Sequence, residues 1–535
     1  MILSTVKKFV LPLVFCCSIV ACNIGDLDFN NLEVQPVSGT FAVPLGFKTY
    51  SVQDLIDEQN DSLPNLRESD DTTLLILFYT DSILYNAEGE FINIEDVTGE
   101  GMITDIPSVT GPGQETIGPQ TLTSTYTAPN GEDLDSVYHS GGTLTLTVNS
   151  SANVTLDYEI TFQSTIDLST GDSISFTGTI DGAGSDTQMQ DLDNHLTRLT
   201  DPFGSNEFSI SFSATATLTA AQSLVGTEDI SFDFTYGNQT FSLIYGKLGQ
   251  DTVNVGSEAI EIDFFEDSGD EGFFLGNPVF RFTFDNSFGI PVATDFSGIA
   301  SLDENGGQNF LDGAITEALT LPLIEAAANP GEVQQTVIEI NRGNSNINEL
   351  LSNSPSRLVF DVTSISNYYD NNASNFVQPG DEISALIEVE IPLELSLKNY
   401  QQSFAFNLNG GLDTEDIDSA FLRVVTINEL PFSGSLSMNI QDSTETTIYT
   451  IAESIVFVAP FINTSGFVTD PSGASVDIPL SPDAINALAE GDRIEMVVTL
   501  NTPVSQTSRD IFVKILSTYT LQIELGLGGR YNYEF

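Results

Sequence analysis

Period-two alternation of apolar and polar residues runs through most of this chain, the mark of strands with one buried face. Leu144, Leu146 and Val148 alternate with threonines, and Val154, Leu156, Tyr158, Ile160 and Phe162 follow on one face. Phe208, Ile210 and Phe212 repeat the pattern, as do Ile230, Phe232, Phe234 and Tyr236. Phe280, Phe282 and Phe284 form another set, and Ile387, Val389, Ile391, Leu393, Leu395 and Leu397 alternate without a fault. Helical spacing is scarce. Short helices are expected at Val52–Asp57 and from Asn344 or Ser345, and the Ala-rich segment 310–328, interrupted by Pro322, is the best candidate for a helical insertion. Ser481-Pro482-Asp483 supplies an N-cap, a proline at the first helical position and an acid in the first turn, with Gly491 ending that helix. The pattern predicts an all-β protein of tandem antiparallel β-sandwich-like domains with a few short helices, without βαβ crossovers.

Breaks in the pattern divide the chain. Residues 22–46 read as a tether and 47–106 as a small β-rich unit, with strands around Leu74–Tyr79 and Ile83–Tyr85. The Gly/Pro/Thr-rich stretch 107–142, with Gly111-Pro112-Gly113 and Ala128-Pro129-Asn130-Gly131, reads as a linker. A β-sandwich-like domain is expected over 143–272, ending in an acidic break. A β domain with the helical insertion follows over 273–370, and a C-terminal β domain over 371–535.

The first 21 residues stand apart. Lys7 and Lys8 precede an apolar run from Phe9 to Val20, too short to span a bilayer but right for a signal-peptide core. The run ends in Ile19-Val20-Ala21-Cys22, which resembles the lipobox of bacterial lipoproteins. The resemblance implies diacylglycerol transfer to the Cys22 thiol, removal of residues 1–21 and acylation (palmitate among the possible chains) of the new amino terminus. Acyl chains of this kind embed a protein firmly, since each buried methylene contributes about 0.8 kcal/mol. Cys16, Cys17 and Cys22 are the chain's three cysteines, so no thiol remains after the anchor for a disulfide, a metal thiolate or a nucleophile. In the lipoproteins it resembles, aspartate directly after the cysteine retains the protein in the inner membrane. Asn23 stands there instead, which favours the outer membrane. Asp26 and Asp28 look like surface-export signals. Phe41-Ala42-Val43-Pro44-Leu45-Gly46 and Tyr50-Ser51-Val52-Gln53-Asp54-Leu55-Ile56 resemble the opening of large uncharacterised envelope lipoproteins, a likeness that implies no activity. Asn277-Pro278 and the turn Asn286-Ser287-Phe288-Gly289-Ile290-Pro291 resemble the Asn-Pro strand of late-embryogenesis-abundant β-sandwich domains, again without catalytic implication.

Charge narrows the functions further. With 15 basic and 76 acidic residues the formal net charge is −61, which repels nucleic-acid phosphates and anionic headgroups. Nucleic acid is therefore excluded as a partner. A solvated acidic coat explains this balance; a calcium role is the sharper alternative, because hard cations take clustered oxygens. The calcium candidates are Asp413, Glu415, Asp416 and Asp418, with Asp191 and Asp193 and the cluster Glu266, Asp267, Asp270 and Glu271 behind them. None fits an EF-hand loop. The two histidines, His139 and His195, are too few for a triple-His zinc site, and no Gly-x-Ser-x-Gly, His-Glu-x-x-His or phosphate-cradling glycine loop is present. Catalytic residues and cofactors are thus expected to be absent. Glycoside hydrolysis by two carboxylates stays as a distant third reading, with no pair to single out.

The last stretch keeps two readings open. Tyr519, Leu521, Ile523, Leu525, Leu527, Tyr531, Tyr533 and Phe535 share one face, which resembles the closing strand of outer-membrane β-barrels. A sandwich strand shows the same alternation, and the absence of Trp removes the residue an aromatic girdle favours. The preferred expectation is a non-catalytic, lipid-anchored envelope protein with a binding or structural role at the outer membrane or cell surface. Its partners would be the membrane and an unknown envelope protein or ligand. The alternative is an outer-membrane component whose C-terminal strands insert in the bilayer.

Overall fold

The computed structural model describes residues 37–52, 66–69, 73–85, 94–126, 128, 132–200, 206–261, 273–303, 306–352, 355–407, 417–503 and 512–533. The expected all-β architecture is present: antiparallel sheets pack in face-to-face pairs, and among the described residues no sheet closes on itself.

The first sandwich is built around two long strands. Asp133–Ser150 pairs along its length with Ile230–Lys247, matching Leu146 to Phe234. Its other edge takes Gly184–Asp191 at one end and His195–Arg198 at the other. In the opposing sheet, Thr155–Asp167 lies between Ser173–Asp181 and Glu207–Leu218, which carries Gly113–Thr125. Near its end Thr155–Asp167 also pairs with His195–Arg198. This four-residue strand therefore joins the two halves of the sandwich. Between the halves the apolar faces meet. The Phe162 and Phe234 rings lie 5.5 Å apart edge to face, as do Phe208 and Phe234, and Phe208 and Tyr236 lie 5.7 Å apart. Such pairs add about 0.5–1.5 kcal/mol each beyond area burial.

Two further sandwiches follow. Phe280 and Phe282, on Val279–Asn286, face Phe360, on Arg357–Ser366 of another sheet, at 5.5 and 6.2 Å. In the third, Ile417–Asn428 and Thr447–Phe457 belong to opposite sheets, and Thr426 Oγ1 donates to the Val456 carbonyl between them. The second and third use the same turn device. Asn286, fully buried at the end of its strand, donates through Nδ2 to the carbonyls of Ile290 and Glu325 and accepts the Phe288 N–H on Oδ1. Asn428, equally buried, donates to Phe432 and Val458 and accepts from Leu430. One amide side chain satisfies three backbone groups that the departing chain leaves open.

The helix at Pro482–Glu490 forms as expected, with Ser481 Oγ accepting the Ala484 N–H at 3.1 Å. A single short turn of helix, Ile347–Leu350, follows Ser345. The 310–328 segment holds only 3-10 turns at Ala314–Thr316 and Ala318–Thr320 and a short strand at Leu323–Ile324, because Pro322 and the Gly313 backbone at φ 136° break it. The helix expected at Val52–Asp57 lies outside the described residues beyond Val52.

The segmentation differs more. The stretch 107–142, read as a linker, is strand over much of its length: Gly113–Thr125 and the start of Asp133–Ser150 belong to the first sandwich. Its glycines and prolines mark edges and corners, with Ile117, Leu134 and Val137 buried between them. The tether reading of 22–46 gives way from Val37, where Val37–Ser51 pairs with Thr520–Tyr533. Leu75–Tyr85, assigned to a small unit, pairs with Ile383–Pro392 in the second sandwich, and Val97–Met102 with Ile230–Lys247 in the first.

Candidate functional site

Chemistry-bearing side chains concentrate where His195–Arg198 joins the two halves of the first sandwich. His139, placed in the linker by its sequence context, is instead buried on Asp133–Ser150. Its Nε2 lies 2.8 Å from Thr197 Oγ1, which lies 3.1 Å from Thr165 Oγ1, which lies 2.8 Å from the Tyr236 hydroxyl. Thr165, Thr197 and Tyr236 are fully buried. The His139 ring stacks on Tyr236 at 6.4 Å, while its Nδ1 has no hydrogen-bond partner among the described residues. Burial, with the nearby His195, lowers the imidazole from its ordinary 6.5 to about 4. His195 is also buried, its Nδ1 2.8 Å from the Asp193 carbonyl. Burial pushes the Tyr236 hydroxyl well above its usual range, so it stays protonated.

Open clefts on the surface of the described residues include two of similar size. One, of about 530 Å³, runs beside this corner between Ser140–Thr143, Met189–Asp191, Asp193 and Asn238. The other, of about 540 Å³, is lined by Asp285, Ser287, Glu332, Asp381, Glu382 and Ser384 among others. There burial raises the Asp381 carboxyl, whose Oδ2 accepts the Gln378 N–H at 2.7 Å. Two of the neighbouring acids have partners: Gln335 donates to Asp285, and Asn329 to Glu332.

Asp413, Glu415 and Asp416 and the 266–271 cluster lie outside the described residues, as does the side chain of Asp418, at the start of Ile417–Asn428. Asp191 Oδ1 accepts the Asp193 N–H at 2.9 Å, forming a turn that leads into the His195 strand. Among the described residues no three His, Cys, Asp or Glu side chains converge to hold a metal ion. Cys22 also lies outside them. Among them no helix is long and apolar enough to cross a membrane, which says nothing of a β-barrel.

Sequence reasoning singled out both histidines but missed the hydrogen-bonded path that leads from one of them through Thr197 and Thr165 to the Tyr236 hydroxyl. Thr165 and Thr197 lie in polar-looking stretches, and only the strand pairing turns them inward.

No family model matches this chain, and no curated protein does. Among solved structures, a candidate secreted protein from Parabacteroides distasonis aligns at 12% identity over 92% of this chain and 99% of its own, with a TM-score of 0.29. A structure of Sulfolobus turreted icosahedral virus aligns at 11% identity over 84% of this chain and 96% of its own, with a TM-score of 0.12. One of infectious bursal disease virus, Gx strain, gives 10% identity, 88% and 82% coverage and a TM-score of 0.15. Overlaps at such scores assign neither fold nor function.

Proposed function

We propose that this chain is an exported, lipid-anchored cell-envelope protein with a non-catalytic binding or structural role at the outer membrane or cell surface. The observation that carries the reading is Ile19-Val20-Ala21-Cys22 directly after a signal-length apolar core. Two structural features support it. Among the described residues, strands of the three sandwiches bury apolar faces against one another, which suits a chain held to the membrane by lipid. Both histidines are also enclosed and hydrogen-bonded, so neither is presented to a substrate. Thr520–Tyr533 lies between Val37–Ser51 and Ile417–Asn428, with Leu521 buried by protein, and this favours the sandwich over a membrane-inserted C-terminal strand.

The test is processing. In the native host, Cys22→Ser should abolish metabolic labelling with a fatty acid and release the protein from membranes. A wild-type chain whose intact mass shows an unmodified amino terminus at residue 22, or no cleavage, would overturn the anchor.

A further inference from the structure

The His195–Arg198 strand is short for its task. Residues Leu196 and Thr197 pair with Asp133–Ser150 on one edge and with Thr155–Asp167 on the other, so a few residues carry the joint between two sheets. The side-chain chain from His139 through Thr197 and Thr165 to Tyr236 ties this strand to three others. Either neutral tautomer of His139 satisfies Nε2 against Thr197. The imidazolium carries a proton on both nitrogens, and among the described residues no acceptor hydrogen-bonds Nδ1 to take the second.

The surrounding charges offer little relief. The joining strand contributes His195 and the exposed Arg198, Thr155–Asp167 contributes Asp167, and Ile230–Lys247 contributes the protonated Tyr236. Asp191 and Asp193 stand in the preceding turn. Among the described residues no carboxylate hydrogen-bonds His139, and Asp167 Oδ1 accepts the Ser169 N–H at 2.7 Å. We propose that this corner is an acid-sensitive latch: proton uptake at His139 frees the His195–Arg198 strand and opens the sandwich at its joint while both sheets stay formed.

The direction follows from linkage. A histidine depressed in the closed form and ordinary once exposed loses its closed-state advantage as pH falls from about 6.5 towards about 4. With those two values the opening constant rises about 20-fold between pH 7 and pH 5.

Hydrogen–deuterium exchange of the full mature chain, corrected for intrinsic rates, reads this directly. Protection of the peptide containing His195–Arg198 should fall about 20-fold from pH 7 to pH 5, while that of Glu207–Leu218 holds. His139→Gln, which keeps a partner for Thr197 and does not titrate, should make the joining strand's protection independent of pH. Unchanged protection in the wild type, or an equal fall in His139→Gln, overturns the latch. Exchange at the His139 ring C2 position needs no variant. A midpoint well below 5 supports the proposal, and one near 6.5 sinks it.

Discussion

The Phe234 ring lies across a glycine of the neighbouring strand, and this contact gives a sharp test of the first sandwich. Val97–Met102 pairs with Ile230–Lys247 so that Gly99 stands opposite Phe234 and Gly101 opposite Phe232. A Cβ built on Gly99 would lie 2.2 Å from Phe234 Cζ and 2.5 Å from Cε1, far inside contact distance. The ring cannot swing away, because Phe162, Phe208 and Tyr236 enclose it at 5.5, 5.5 and 6.1 Å. Gly99→Ala should therefore cost about 1–3 kcal/mol, the usual range for forcing an extra carbon into a filled core. In a Phe234→Leu background the ring is gone, and the remaining close atom, Ser124 Oγ at 2.8 Å, ends a short side chain that can rotate away. There the same substitution should be neutral or stabilise by up to about 1 kcal/mol, since alanine restricts the unfolded chain more than glycine does. The two sites should thus show a coupling energy of about 1–3 kcal/mol. Calorimetry of the four proteins measures it, with about 2–4 °C in Tm expected per kcal/mol for a unit of this size. A Gly99→Ala cost that is the same in both backgrounds, to within about 0.5 kcal/mol, would refute the packing argument.

Other consequences can be checked alongside. Asn286→Ala and Asn428→Ala each strand three backbone partners, so each should lower stability by more than about 2 kcal/mol in the melting of its own sandwich. An effect within experimental error would show those groups finding other partners. Leu521→Ala should cost about 2–5 kcal/mol in a detergent-free preparation of residues 23–535. Aggregation of that unlipidated chain whenever detergent is removed would revive the membrane-inserted strand. If the acidic cluster of Asp413, Glu415, Asp416 and Asp418 forms a specific calcium site, calcium should raise Tm more than sodium at matched ionic strength, because only bound cation stabilises by linkage; coincident melting curves would leave screening of the −61 charge as the whole effect.

What depends on neighbours along the chain was legible from the residues alone. Strand identity followed from alternation, because period two puts successive side chains on opposite faces whatever the strand pairs with. The Ser481 helix was legible because its cap, proline and terminal glycine lie within one short segment. The signal core and lipobox are local in the same way. Tertiary structure decided everything that depends on which strand meets which. Val37–Ser51 finds Thr520–Tyr533 from the far end of the chain, and Leu75–Tyr85 finds Ile383–Pro392. Alternation gives every such strand the same apolar face and names no partner, so boundaries drawn at glycine-rich breaks misplaced both. The stretch 107–142 misled because glycine and proline mark sheet edges and corners as well as linkers. His139 and Thr197 are both polar and lie 58 positions apart, and each reads alone as a surface residue. Only the joining of two sheets through His195–Arg198 turns them towards one another and removes them from water.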